Sequence, residues 1–187
     1  MNKLDITAAF LREILDYDKD TGILTWKERK IGSPHWKDKD IKAFNTKWAG
    51  KEAGRLVKYN RAVSCRREVT IFGYKFRSYR LIWRMVTGEW PKDQIDHIDQ
   101  DSTNDRWDNL REATDGQNMK NTPISKANTS GHVGVSERSN GKFRCRIQVD
   151  GIQYCKTFDT KEEAIAERKR WSEMYGFTEN HGRVKDE

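Results

Sequence analysis

Between residues 94 and 121 four polar side chains fall into a pattern that limits what the stretch can become. Asp96 and His97 stand side by side, Asn109 follows the histidine by twelve residues and Asn118 by twenty-one. The segments between them carry their own structural signals. Gln94 to Ile98 reads as a short strand, and Asp99 to Asp105 as a polar loop rich in turn residues. Trp107 to Arg111 reads as a second extended piece. Thr114 with Gln117 three residues later is a capping box that opens a helix from Asp115 to about Asn121. Strand, loop, strand and helix in that order can fold one acid, one imidazole and two amides onto a single spot.

Those residue types suit phosphodiester hydrolysis. A neutral imidazole at His97 can take a proton from water. A hard cation such as Mg²⁺ prefers oxygen ligands and keeps several waters, so the Asp96 carboxylate and the Asn118 carbonyl suffice to hold it. The ion would polarise the phosphate and neutralise the leaving 3′ oxygen. Asp99, Asp101, Asp105 and Asp108 are read as loop and turn formers. A calcium loop is a poor fit, because no glutamate follows twelve positions after the first acid.

The text Ile-Asp-His-Ile-Asp-Gln-Asp-Ser-Thr-Asn-Asp-Arg-Trp-Asp-Asn-Leu-Arg, residues 95–111, resembles the HNH nucleases, in particular the phage and homing-endonuclease branch with asparagine as the last metal-site residue. The resemblance covers roughly residues 68–121 and implies a ββα-metal fold. It implies Asp96 and Asn118 as metal ligands, His97 as general base, and Asn109 as the residue that holds the active-site loop and the histidine. Arg106 and Arg111 become candidate phosphate contacts. One divalent metal is expected, Mg²⁺ with Mn²⁺ as its substitute. Two departures stand out: Tyr79 where many relatives have histidine, and Gln100 where many have glycine.

Charge distribution agrees with a polyanionic partner. The net charge is +7, and residues 27–90 hold 17 Lys/Arg against six Asp/Glu, whereas residues 91–125 hold four against eight. A very basic segment followed by an acidic one suits a phosphate-binding surface beside a metal site. No long apolar run and no charged-then-apolar leader is present, so a membrane role is not expected and a cytoplasmic protein is, in the bacterial host if phage-encoded. Cys65, Cys145 and Cys155 form no Cys-x-x-Cys, so neither a disulfide framework nor a structural zinc is expected.

Upstream, residues 7–17 read as a helix capped by Thr7, with Phe10, Leu11, Ile14 and Leu15 on one face. A turn at 18–22 and a short strand at 23–26 follow. Residues 30–60 read as a basic loop region with short strands, and 67–76 as a hairpin around Phe72-Gly73. Ser78 to Val86 reads as a buried helix stopped by Thr87-Gly88 and Pro91. Residues 1–90 are thus expected to be a basic α+β region, 91–122 the nuclease core, and 123–130 a linker.

From Gly131 three strands are expected, at 132–138, 142–149 and 153–158, then a helix from the Thr160/Glu163 capping box to about Tyr175, with residues 179–187 as a tail. Phe143, Cys145, Ile147 and Val149 alternate with Arg144, Arg146 and Gln148, so an apolar face can pack on the helix through Ala164 and Trp171 while guanidinium and amide groups face out. Such groups can read guanine and adenine in the major groove. Residues 130–175 resemble an Apetala/ethylene-response-factor-type DNA-binding domain, through Ser130-Gly131, Gly134-Val135, Arg138, Gly141-Lys142-Phe143, Phe158-Asp159-Thr160 and Glu163-Ala164. That resemblance implies Arg138, Arg146, Gln148 and Tyr154 as DNA-facing positions, and the strand alternation adds Arg144. A tight Asp150-Gly151 turn instead sets Tyr154 on the face of Ile147, and both registers stand at this point.

The expected whole is an α+β chain: a nuclease domain followed by a three-stranded antiparallel sheet and one helix, acting as a metal-dependent endonuclease on double-stranded DNA without an obligate protein partner. The competing expectation is a non-catalytic DNA-binding protein on a degenerate HNH fold.

Overall fold

The computed structural model describes residues 6–58, 65–125 and 127–183. The end of the expected basic loop (59–60), residue 126 of the expected linker and residues 184–187 of the expected tail lie outside the described residues. The fold is α+β, built from small antiparallel sheets and five α-helices among the described residues. Packing divides the chain into two units, residues 1–97 with 101–112, and residues 98–100 with 113–187.

The first unit starts with α1 (Ala8–Ile14), where Thr7 Oγ1 accepts the Phe10 N–H at 3.1 Å, as the sequence predicts. The helix ends before the expected Tyr17. Leu15–Tyr17 is strand β1, paired antiparallel with β2 (Leu24–Trp26). Pairing wins because an extended Leu15 stays fully buried in the same core, in register opposite Trp26. Helix α2 (Asp38–Trp48) replaces part of the expected basic loop. It buries only Ile41, with Phe44 half-buried against the same core, so its apolar stripe of Ile41, Phe44 and Trp48 is thin. Its anchor is polar: Asn45 exchanges two 2.9 Å hydrogen bonds with the Arg29 backbone. The Arg29 guanidinium lies 3.3 Å from the Phe44 ring centroid and 3.9 Å from that of Trp36, and burial lowers its pKa to about 10.

Strands β3 (Arg55–Lys58), β4 (Cys65–Ile71) and β5 (Tyr74–Arg77) make an antiparallel sheet. The β4–β5 turn is Phe72-Gly73, both residues at positive φ, the geometry of a type I′ hairpin. Helix α3 (Ser78–Thr87) follows directly and ends on left-handed Gly88. Its Leu81, Ile82 and Met85 join Leu11, Ile14, Leu24, Val69 and Phe76 in one core. Strand β6 (Gln94–His97) pairs with β7 (Leu110–Ala113). The predicted extended piece at 107–111 begins instead as a 3₁₀ turn, Trp107–Asn109. Ile95 and Leu110 plant the two strands in the core.

The second unit holds α4 (Asp115–Met119), β8 (Val135–Glu137), β9 (Phe143–Val149), β10 (Ile152–Phe158) and α5 (Lys161–Met174). Both predicted capping boxes are formed, Thr114 with Gln117 and Thr160 with Glu163. The sheet order is β10-β9-β8, all antiparallel, and Val135, Cys145 and Ile147 pack on Ala164 and Trp171 of α5. The contact boundary falls at Glu112, ahead of the linker expected at 123–130, because the segment after α5 folds back onto α4. The Thr178 N–H reaches the Lys120 carbonyl at 3.3 Å, and Gly182 N–H reaches that of Thr122 at 2.9 Å.

That returning segment carries a pH dependence. Arg168 Nη2 donates to His181 Nε2 at 3.2 Å, and burial, with Arg168 adding repulsion, lowers the His181 pKa to about 4. The ordinary histidine value is about 6.5, so between the two the unfolded chain binds the extra proton. His181 therefore stabilises the fold above about pH 6.5, and that contribution is lost as pH falls toward the folded value of about 4. Melting temperature followed across this window should fall less steeply in His181→Gln than in the wild type; parallel slopes would refute it.

Among the described residues no helix is long and apolar enough to cross a membrane, and all three cysteines are free thiols.

Candidate active site

Strand β6 delivers Asp96 and His97 at its last two positions, next to the loop that returns through Asn109 into β7. All three side chains are withdrawn from solvent, with exposures of 7, 8 and 8 %. Asn109 Nδ2 donates to the Asn104 carbonyl at 2.8 Å, a bond within the loop. Asp96 Oδ2 accepts from Arg111 Nε at 3.0 Å and Nη2 at 2.7 Å. Arg111, a candidate phosphate contact by sequence, is thus engaged with the expected metal ligand. Arg106 is exposed on the loop, before the 3₁₀ turn. Asn118 lies on α4, in the second unit.

The histidine has a partner that the sequence reading missed. His97 Nε2 lies 2.9 Å from Asp105 Oδ1, and Asp105 is only 2 % exposed. Its Oδ2 accepts from the buried Ser78 Oγ at the start of α3. The Tyr17 hydroxyl donates to the Asp105 carbonyl at 2.8 Å. Burial first, then the carboxylates Asp105, Asp108 and Asp18, raise the Tyr17 pKa, so this phenol remains a donor. Asp105 therefore differs from the exposed Asp101 and Asp108 and from half-buried Asp99. Asp101 is the turn former the sequence suggests, its Oδ1 accepting the Thr103 N–H at 2.9 Å. Nothing local marks Asp105, because its side-chain and backbone partners Ser78 and Tyr17 lie 27 and 88 residues away.

Both departures from the HNH pattern have a structural counterpart. The Tyr79 ring meets the His97 ring edge-on, centroids 5.2 Å apart at 89°, so that position touches the histidine after all. Gln100 sits at φ 67°, a conformation that explains a glycine there in relatives. The glutamine side chain compensates by donating to the Asn121 carbonyl at 2.8 Å.

In the second unit the outward row of the sheet carries Arg144 opposite Thr157, Arg146 opposite Cys155 and Gln148 opposite Gln153. Arg138 lies beyond β8 and is exposed. Tyr154 pairs with Ile147 and stacks on Tyr175 at 5.4 Å, so it belongs to the helix side and not to the outward row. The Asp150-Gly151 turn decides this, both residues having positive φ.

Residues 79–120 match the family model described as HNH endonuclease. That segment spans α3, β6, the site loop, β7 and α4, and contains Asp96, His97, Asp105, Asn109 and Asn118. The chain carries an HNH endonuclease domain there. It is also 36 % identical over 80 residues to Protein 3.8 of Escherichia phage T7, an alignment covering 42 % of this chain and 66 % of that protein. No solved structure matches the chain.

Proposed function

We propose that the chain is a metal-dependent, homing-type endonuclease that hydrolyses phosphodiester bonds in double-stranded DNA. The observation that carries this reading is a buried imidazole, His97, directly beside the Asp96 carboxylate inside the segment that matches the HNH endonuclease model. His97 acts as general base on the attacking water. Asn109 keeps the loop closed behind it through Asn104. Arg106, exposed on the loop, contacts a phosphate in this reading.

HNH nucleases use a divalent metal, and the donor set suits a hard one. Asp96 and Asn118 would offer it oxygens. Bound there, Mg²⁺ or Mn²⁺ would polarise the phosphate and neutralise the leaving oxygen. Hydrolysis with a 3′-hydroxyl leaving group predicts nicks bearing 5′-phosphate and 3′-hydroxyl ends. DNA ligase should therefore reseal plasmid nicked by the chain without prior end repair; ends refractory to ligase would contradict the mechanism.

The second unit supplies duplex recognition as an Apetala/ERF-type domain, with Arg138, Arg144, Arg146 and Gln148 toward the DNA. Double substitution Arg146→Ala/Gln148→Ala should weaken binding to the cognate duplex by about 30-fold or more, in keeping with two contacts at about 1–3 kcal/mol each. A nitrocellulose or fluorescence titration measures it, and unchanged affinity would exclude this face. One observation favours the alternative of a non-catalytic DNA-binding protein: Arg111 already neutralises Asp96. Cleavage assays separate the two readings.

A further inference from the structure

We propose that Asp105 is the positioning residue of the His97 base: it fixes the ring's rotation and its tautomer, and Ser78 and Tyr17 hold it for that task. The inference rests on the reading of His97 as general base. The carboxylate is nearly inaccessible, so it cannot reach a substrate phosphate itself. Its ion-pair partner is His97, at 2.9 Å. Three contacts pin it from different elements: the Ser78 hydroxyl from the first turn of α3, the Tyr17 hydroxyl from β1 on its carbonyl, and the histidine from β6.

A carboxylate that accepts the Ser78 hydroxyl proton on one oxygen has the other oxygen aimed at His97 Nε2. An ionised carboxylate only accepts, so Nε2 must be the protonated nitrogen. The neutral ring then carries its lone pair on Nδ1, and this is the atom that takes the water proton. When it does, the ring becomes an imidazolium whose Nε2–H still points at the Asp105 charge. The hydroxide so formed attacks phosphorus, the P–O3′ bond breaks with its electron pair on O3′, which takes a proton from solvent to become the 3′-hydroxyl, the imidazolium returns its own proton to solvent, and none reaches Asp105. Tyr79, edge-on to the ring, limits rotation from the other side.

Three consequences distinguish positioning from mere support of the fold. Asp105→Asn keeps the shape and an acceptor for Nε2–H but removes the charge. Its kcat on plasmid should fall about 10-fold, and that of Asp105→Ala about 100-fold, the range typical of such supporting partners. KM for DNA should stay unchanged in both, because Asp105 never touches substrate. In ¹⁵N-histidine spectra at about pH 8, above the ordinary imidazole range, the His97 signals, assigned by their loss in His97→Ala, should show the Nε2–H tautomer in the wild type and in Asp105→Asn. In Asp105→Ala that preference should collapse. A wild-type Nδ1–H tautomer, or an unaltered tautomer in Asp105→Ala whatever its rate, overturns the proposal. A wild type with the expected tautomer that never cuts DNA overturns the nuclease reading and leaves the anchoring of the ring in place.

Discussion

His97→Ala should cut DNA about 100- to 10,000-fold more slowly than the wild type, the usual worth of a positioned general base. Affinity for duplex DNA should hardly change, because His97 is buried at the end of β6 while Arg106 and Arg146, the groups proposed to contact DNA, are exposed. The substitution also leaves the buried Asp105 with one hydrogen-bond partner fewer, at a cost of about 1–3 kcal/mol. Single-turnover cleavage should therefore be measured at a temperature where circular dichroism shows the variant folded. Loss of cutting with retained binding is the expected pair of results. Equal rates would remove His97 from the chemistry.

The second large effect is expected far from the catalytic pair in sequence. Gly22 sits at φ +76°, and a Cβ built on it would come within 2.6 Å of both the Arg106 nitrogen and the Asp105 carbonyl carbon. The 18–22 turn is thus pressed against the backbone of the residue that meets His97. The Lys19 carbonyl of the same turn also accepts the Trp107 N–H at 3.4 Å. Gly22→Ala combines a left-handed alanine with a backbone collision and should cost about 2–4 kcal/mol. Gly32→Ala is the control: φ is +81° there too, but nothing lies within 4 Å of the added Cβ. It should cost only about 1 kcal/mol. Urea unfolding of both variants separates strain from collision. If Gly22→Ala is no worse than Gly32→Ala, the loop is not buttressed by this turn.

Elements governed by local rules were legible in the sequence. The Thr7 cap, the two capping boxes, the Phe72-Gly73 hairpin and the alternation of β9 all depend on residues within a few positions of one another. The same holds for Asp150-Gly151, where turn chemistry predicts the register of Tyr154 and family likeness does not. What escaped is set by distant partners. Helix α2 has only a thin apolar stripe and is held also by Asn45 on Arg29 and by the Arg29 guanidinium over the Phe44 ring. Strand β1 exists because Leu15 meets Trp26. The 3₁₀ turn at Trp107–Asn109 closes a loop whose shape the Asn109–Asn104 bond maintains.

The site divides the same way. Asp96, His97, Asn109 and Asn118 stand out by residue type and spacing alone. Asp105 is one of four aspartates in a polar stretch, and only the approach of Ser78 and Tyr17 makes it different from the others. Arg111 was legible as a basic residue near the site, but its pairing with Asp96 follows from where β6 and β7 lie against each other.

The most direct test of the account is conversion of supercoiled plasmid to nicked or linear DNA by the purified chain, in Mg²⁺ and in excess EDTA, beside His97→Ala in Mg²⁺. The account predicts cutting by the wild type in Mg²⁺, and none above background in EDTA or by the variant. Cutting that survives EDTA, or a wild type that binds the plasmid and leaves it supercoiled in both Mg²⁺ and Mn²⁺, would contradict it.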